Sequence, residues 1–136
     1  MIGQIWNRLQ LLFATGNITL ITGGKAQATV LDEEVLDNVK LVTPFGFSHA
    51  PKKGSQAYIL FPSGDRTFGV AVVVGDNRYA MTLAEGEVAL NDDKGNFVQI
   101  KADGAILLKS SVSVSIDAPS LAVKGNITAT GTIAGG

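Results

Sequence analysis

Cysteine is absent from the 136 residues, and histidine occurs once, at His49. The first absence removes disulfide staples and thiolate metal sites. The second leaves a Ser–His–Asp arrangement only one possible base and prevents a histidine-rich metal centre within one chain. Long apolar runs are missing too. Although 46% of the residues are hydrophobic and mean hydropathy is +0.26, no run approaches the roughly 18–20 residues of a spanning helix. Nor is there an excess charge of one sign: 11 Lys and Arg face 12 Asp and Glu, for a net charge of −1, and they are scattered. A nucleic-acid binder needs a concentrated basic face, so this class is disfavoured. Stability has to come from burial, hydrogen bonding or assembly, in one compact domain with an extension or in one all-β domain.

What is present in the last third is alternation. Val112-Ser113-Val114-Ser115-Ile116-Asp117 alternates strictly, and Leu121–Lys124, Ile127–Thr130 and Thr132-Ile133 continue the beat after Pro or Gly interruptions. Period two predicts strands with one buried face. From Gly86 to Gly136 the only aromatic is Phe97, so nothing in the segment is large enough to cover those faces. Other copies of the same chain would cover them, in an intertwined or stacked β structure.

Upstream the composition differs. Residues 1–15 carry Ile2, Ile5, Leu9, Leu12 and Phe13 near helical spacing and predict an amphipathic helix. Arg8 and Gln10 interrupt the apolar stretch, which argues against a signal peptide. Over 16–82, strand-like runs at Ile18–Ile21, Ala26–Leu31, Val39–Val42, Ala57–Phe61 and Val70–Val74 are separated by Gly- and Pro-rich turns, which predicts a small barrel or sandwich. Gly69–Gly75 reads as a strand buried on both sides, and Phe45, Phe47, Tyr58, Phe61 and Phe68 as core formers. Over 83–136, polar turns at Asn91–Asn96 and Ala102–Gly104 separate short strands that recur like the rungs of a β-helix.

Catalytic motifs read mostly as structure. His49 sits in a predicted turn, Phe47-Ser48-His49-Ala50-Pro51. Asp92-Asp93 opens like a calcium loop but lacks the later carboxylates, so a hairpin turn is the simpler reading. The acidic cluster Asp32, Glu33, Glu34 and Asp37 has no companion histidine and reads as a solvated loop. Gly23-Gly24-Lys25 lacks the earlier Gly and following Ser or Thr of a phosphate loop and reads as a hairpin turn. The tetrapeptide Gly-Asn-Ile-Thr occurs at Asn17 and at Asn126; each is expected to be a turn leading into a strand. Tyr58, Phe61 and Phe68 would make a stacking platform only beside a basic groove, and none is visible.

The middle of the chain resembles a known family. Leu36–Ser48, with its Pro44-Phe45-Gly46-Phe47 run, then Pro51, Gly54 and Ala57, Gly64-Asp65-Arg66 and Asp76-Asn77-Arg78-Tyr79, is similar to the Mu-type baseplate assembly protein V family. These proteins are the central spikes of contractile phage tails and R-type bacteriocins. The likeness continues through Gly86–Leu90 and Gly125–Thr132 to about Ile133. It implies an all-β homotrimer, with an N-terminal OB-like barrel followed by a C-terminal intertwined triple-stranded β-helix that forms a needle. It also implies tail hub and baseplate proteins as partners, the target cell's outer envelope as the object pierced, and a place in the baseplate of a virion or tail-like particle.

On that reading Val112, Val114, Ile116, Leu121, Val123, Ile127 and Ile133 line the trimer axis. Longer relatives end in a tip where His-x-His from three chains holds iron. This sequence has no histidine after His49, so neither metal nor cofactor is expected, and a separate tip protein is one way to complete the point. Two rivals remain from other classes. A trimeric fibre or adhesin should show distal carbohydrate contacts, which are lacking, and an OB-fold nucleic-acid binder leaves the last third without a purpose. An enzyme is not expected, because no paired carboxylates in a credible cleft are visible.

Overall fold

A computed structural model describes residues 1–10, 12–30 and 34–135. The chain divides into two units, Met1–Thr82 and Leu83–Gly136. In the first, helix α1 (Ile2–Gln10) precedes strands β1 (Phe13–Thr22), β2 (Lys25–Val30), β3 (Val35–Leu41), β4 (Gln56–Leu60) and β5 (Val70–Gly75). The five strands close in the order β1-β2-β3-β5-β4, with β4 returning antiparallel to β1 and β5 running parallel to β3. That closed barrel is compatible with the expected OB-like architecture. The helix is shorter than the 1–15 expected, because Phe13–Thr15 pair with Tyr58–Leu60 in the barrel wall.

Local chemistry explains the corners. Gly23 and Gly24 both take positive φ, 56° and 76°, as a two-residue hairpin turn between β1 and β2 requires. The phosphate-loop look-alike is therefore a turn. Between Leu36 and Val39, both buried, lie two exposed residues instead of one. Asn38 at φ 59° absorbs the extra residue as a bulge, where the β2–β3 register shifts.

The core is Ile18, Ala26, Ala28, Val30, Leu36, Val39, Ala57, Ile59, Phe61 and Ala71. Of the five aromatics expected inside, only Phe61 is buried; Phe45, Phe47, Tyr58 and Phe68 are exposed. Five strands enclose too little volume for more large rings, and three of the inward positions on β2 and β4 are alanine. Tyr58 sits between inward-facing Ala57 and Ile59, so alternation turns it outward. Nor is β5 buried on both faces: Ala71 points into the barrel and Val72 outward. An apolar run is ambiguous between these two cases, and here Val72 on the outer face is uncovered.

The turn after β5 is clasped to the loop before β4. Arg78 donates from Nε and Nη2 to the two carboxylate oxygens of Asp76, at 2.8 and 2.6 Å, and from Nη2 to the Lys53 carbonyl at 2.9 Å. The buried Ser55 hydroxyl donates to Asp76 at 3.1 Å. The Arg78 bonds, with help from Ser55, hold the Asp76 carboxyl well below the usual range.

Other motifs have plain structural places. Gly16 and Asn17 lie inside β1 and not in a turn, which corrects the reading of the first Gly-Asn-Ile-Thr. Of the acidic cluster, Asp32 and Glu33, like the predicted strand end Leu31, fall outside the described residues. Glu34 pairs with Arg66, and Asp37 accepts a bond from Gln27 at 2.6 Å, so these two carboxylates serve separate partners. His49 is exposed in the irregular segment between β3 and β4.

In the second unit β6 (Val88–Asn91), β7 (Phe97–Ile100) and β8 (Ile106–Lys109) form an antiparallel meander. Residues 110–135 pair with no strand within the chain. The strands expected at Val112–Asp117, Leu121–Lys124, Ile127–Thr130 and Thr132-Ile133 are thus not formed by one copy alone. A strand requires a partner for its ladder, and one chain offers none there. At the second Gly-Asn-Ile-Thr, Gly125 makes a bend at φ 135°. Among the described residues no helix is long and apolar enough to cross a membrane.

Among the described glycines of the barrel the closest approach is at Gly16, where a Cβ would press on the Thr29 carbonyl oxygen and stand 2.9 Å from the Val30 side chain. Gly16→Ala should destabilise the barrel by about 1–3 kcal/mol. Gly75→Ala, with nothing within 4 Å of the added methyl, should stay within about 0.5 kcal/mol of the parent. Urea unfolding of both variants checks the difference.

Candidate oligomerisation surface

Register puts the aliphatic residues of the meander onto one face. Val88 faces Ile100, which faces Ile106, and Leu90 faces Val98, which faces Leu108. These two rows hold six aliphatic side chains, and all are exposed, from 41% at Val98 to 70% at Ile106. The other face carries Ala89, Gln99 and Leu107 in one row and Asn91, Phe97 and Lys109 in the next. One face is therefore wholly apolar and open to water, and the other is mixed. Isolated exposed hydrophobics are ordinary, but two complete rows are a contiguous patch of the kind that marks an interaction surface.

The sheet edges and turns are fixed by carboxylates. Glu87 accepts from the Ala84 N–H at 3.0 Å, the Ala102 N–H at 3.2 Å and the Gln99 amide at 3.1 Å. The Ala84 and Ala102 N–H groups hold its carboxyl below the usual value, against the opposing effect of desolvation. Asp92 accepts from the Lys94 N–H at 2.8 Å, the Asn96 N–H at 2.9 Å and the Asn96 amide at 2.6 Å. Desolvation raises the Asp92 pKa, and these bonds more than offset it, leaving the group lowered. Asp103 caps the next turn through the Ala105 N–H at 3.0 Å. The calcium-like Asp92-Asp93 pair is thus a hairpin cap, with both Asp92 oxygens committed to N–H donors. Among the described residues no group of three or more His, Asp or Glu is placed to hold a metal ion.

The seven residues expected on a trimer axis follow in the segment after β8. All are exposed in the single chain, from 52% at Val123 to 92% at Val112. Asn96 ties the start of this segment to the meander by accepting from the Ser111 N–H at 2.8 Å and hydroxyl at 3.0 Å. A shallow hollow of about 500 Å³ lies between them, and Leu90, Val98, Leu108 and Val114 line it together. Val114 therefore shares this hollow with the second aliphatic row; the other six are not among the residues that line it. The six meander residues were missed because the strands are only four residues long. The signal was there as Val88-x-Leu90, Val98-x-Ile100 and Ile106-x-Leu108.

The closed barrel is compatible with the OB-like domain that the resemblance implies. Residues 23–78, from the β1–β2 turn to the Asp76–Arg78 clasp, match the family described as Bacteriophage Mu Gp45, N-terminal. That match supports the resemblance to the Mu-type baseplate family read from the sequence. Over 139 aligned residues the chain is also 25% identical to the baseplate puncturing device gp45 of Escherichia phage Mu, an alignment that covers 93% of this chain and 71% of that protein.

The carboxylate caps make the meander sensitive to acid. A carboxyl whose folded pKa is depressed contributes stability above its ordinary value, and that contribution is lost as the pH falls through the folded value. For Glu87 the loss sets in below its ordinary 4.5. Glu87→Gln should lower the melting temperature at neutral pH and flatten the further drop on acidification below that value. Circular-dichroism melts of parent and variant over a pH series test this.

Proposed function

We propose that this chain is the central spike of a contractile phage tail or phage-tail-like particle, a non-enzymatic homotrimer that sits at the tail hub and pierces the target bacterial envelope. The observation that carries the proposal is the open aliphatic face of the meander, continued by seven exposed apolar residues after β8. The resemblance to the Mu puncturing device supports it.

Three copies related by one axis cover these faces at once. Each meander turns its Val88–Ile100–Ile106 and Leu90–Val98–Leu108 rows inward, and Val112, Val114, Ile116, Leu121, Val123, Ile127 and Ile133 extend the dry interior towards the end of the chain as a triple-stranded β-helix. Full burial of an aliphatic side chain contributes roughly 1.5–3 kcal/mol. Six half-exposed ones then add on the order of 5–10 kcal/mol per protomer in the meander alone. Intertwining also pairs the strand edges that one chain leaves open, which removes sites for uncontrolled edge-to-edge association.

The mechanism is mechanical. Sheath contraction drives the spike along its axis, and a close-packed core with few voids resists the sideways displacements that precede buckling. No metal or cofactor takes part in this reading. The barrel, at the other end of the sequence, supplies the surface for hub and baseplate partners.

Light scattering of the purified chain should give three times the monomer mass, and a folded monomer would overturn the reading. Val98→Asp and Val114→Asp each place three carboxylates around the axis and should lower the melting temperature steeply or abolish the trimer. Leu107→Asp, on the opposite face of the meander, should leave the trimer intact. Cryo-electron microscopy of particles from the producing cell would then show whether the trimer occupies the baseplate axis.

A further inference from the structure

A second pair of unmatched apolar surfaces lies at the other end of the sequence. In α1, Ile2, Ile5, Trp6 and Leu9 share one stripe at i, i+3, i+4 and i+7 spacing, and each is more than half exposed. On the barrel wall a groove of about 450 Å³ runs along β1, β4 and β5, lined by Phe13, Tyr58, Leu60 and Val72. Phe13 is 66% and Tyr58 58% exposed, so the groove is empty of the chain's own helix. A nine-residue helix is marginal in water and needs an apolar surface to lie on.

We propose that α1 of one protomer seats its Ile2–Leu9 stripe in the Phe13–Tyr58–Val72 groove of a second copy, so that three such contacts form a collar around the barrels of the trimer. The inference rests on the trimeric reading above and names an interface beyond its shaft. Three observations favour a second copy over an unrelated partner. The contact joins two different patches of one chain, which is the heterologous arrangement that closes a ring. Neither surface carries a charge within its apolar lining, so nothing steers a charged partner to it. The area also decides. Large aromatic side chains bury about 150–250 Å² each. Three of them, already half covered, with the accompanying aliphatics, give roughly 1,000 Å² in total, short of the roughly 1,200 Å² at which stable interfaces begin. A contact this small forms readily only between chains already held together, where the effective concentration is high.

The cysteine-free sequence makes the test clean. Full-length Ile5→Cys and Val72→Cys chains, both at exposed positions, are mixed, assembled and oxidised, beside the double variant. The expected result is a disulfide-linked dimer from the mixture and, from the double variant, a ladder ending at three times the monomer mass. A fast-migrating monomer, with the bond inside one chain, overturns the proposal. So does a ladder from a Phe45→Cys/Val72→Cys pair in place of the Ile5 pair, which would give the groove to the exposed Phe45 turn. If light scattering gives a trimer but no cross-link forms, the collar is wrong and the shaft stands; if it gives a monomer, the trimeric reading itself fails. Trp6 is the only tryptophan, so an independent readout exists without cysteines. Its emission in the unmodified trimer should be blue-shifted, and Val72→Glu should return it to the solvent-exposed position with the trimer retained. Solvent-exposed emission in the unmodified trimer overturns the collar.

Discussion

Apolar side chains that one copy of the chain has no means of covering govern this molecule. The barrel encloses a core within one chain: among the described residues, Phe61 and nine smaller hydrophobics fill the space inside the five strands. In the second unit no such interior exists. Its three short strands make a sheet with two aliphatic rows exposed and no helix or second sheet to lie on them. A sheet in that state gains its hydrogen bonds but not the burial that ordinarily outweighs the cost of ordering the backbone. Its carboxylate-capped turns hold the strands in register without supplying that missing term. On the proposed reading self-association resolves the deficit, with the same residues in every copy.

The two units therefore divide two kinds of work. The barrel is stabilised by enclosed packing and by a polar clasp, Asp76–Arg78 with Ser55 and the Lys53 carbonyl, that locks one turn to another. The meander and the segment after it have small side chains and short turns, and on the proposed reading they become stiff only when three copies share an interior. Scarcity of aromatics suits that role, because Val, Ile, Leu and Ala stack in uniform layers where a large ring on a threefold axis would have to fit three times over.

Much of this was legible in the residues, and the failures share one cause. The barrel strands and their turns follow from β-branched runs separated by Gly and Pro pairs, whereas the early start of β3 at Val35 and the bulge at Asn38 show only in the pairing with β2. The aromatic residues were misread because size alone does not say which face of a strand points inward. Tyr58 is set outside by its neighbours Ala57 and Ile59, and Phe45 by a turn in which Gly46 takes φ 86°. Val72 was misread for the same reason: an apolar residue is evidence of burial only when something covers it. In the second unit the alternation in β6–β8 is short, and the register that aligns six residues into two rows is set only by the hairpins.

An exposed hydrophobic surface in a single chain is thus best treated as a statement about its missing neighbour. The rows of the meander differ in kind from the groove at Phe13 and Tyr58. The rows form one self-similar face, suited to meeting its own copies around an axis, whereas groove and helix are unlike surfaces, suited to meeting each other head to tail. The proposed threefold assembly accommodates both at once, because one rotation relates like faces to one another and also brings unlike faces of neighbouring copies together. On the proposed reading the meander contact is the larger and supplies the stability, and the helix–groove contact is small and depends on it. That order of dependence makes the aliphatic face, and not the barrel or the helix, the feature from which the rest of the assembly follows.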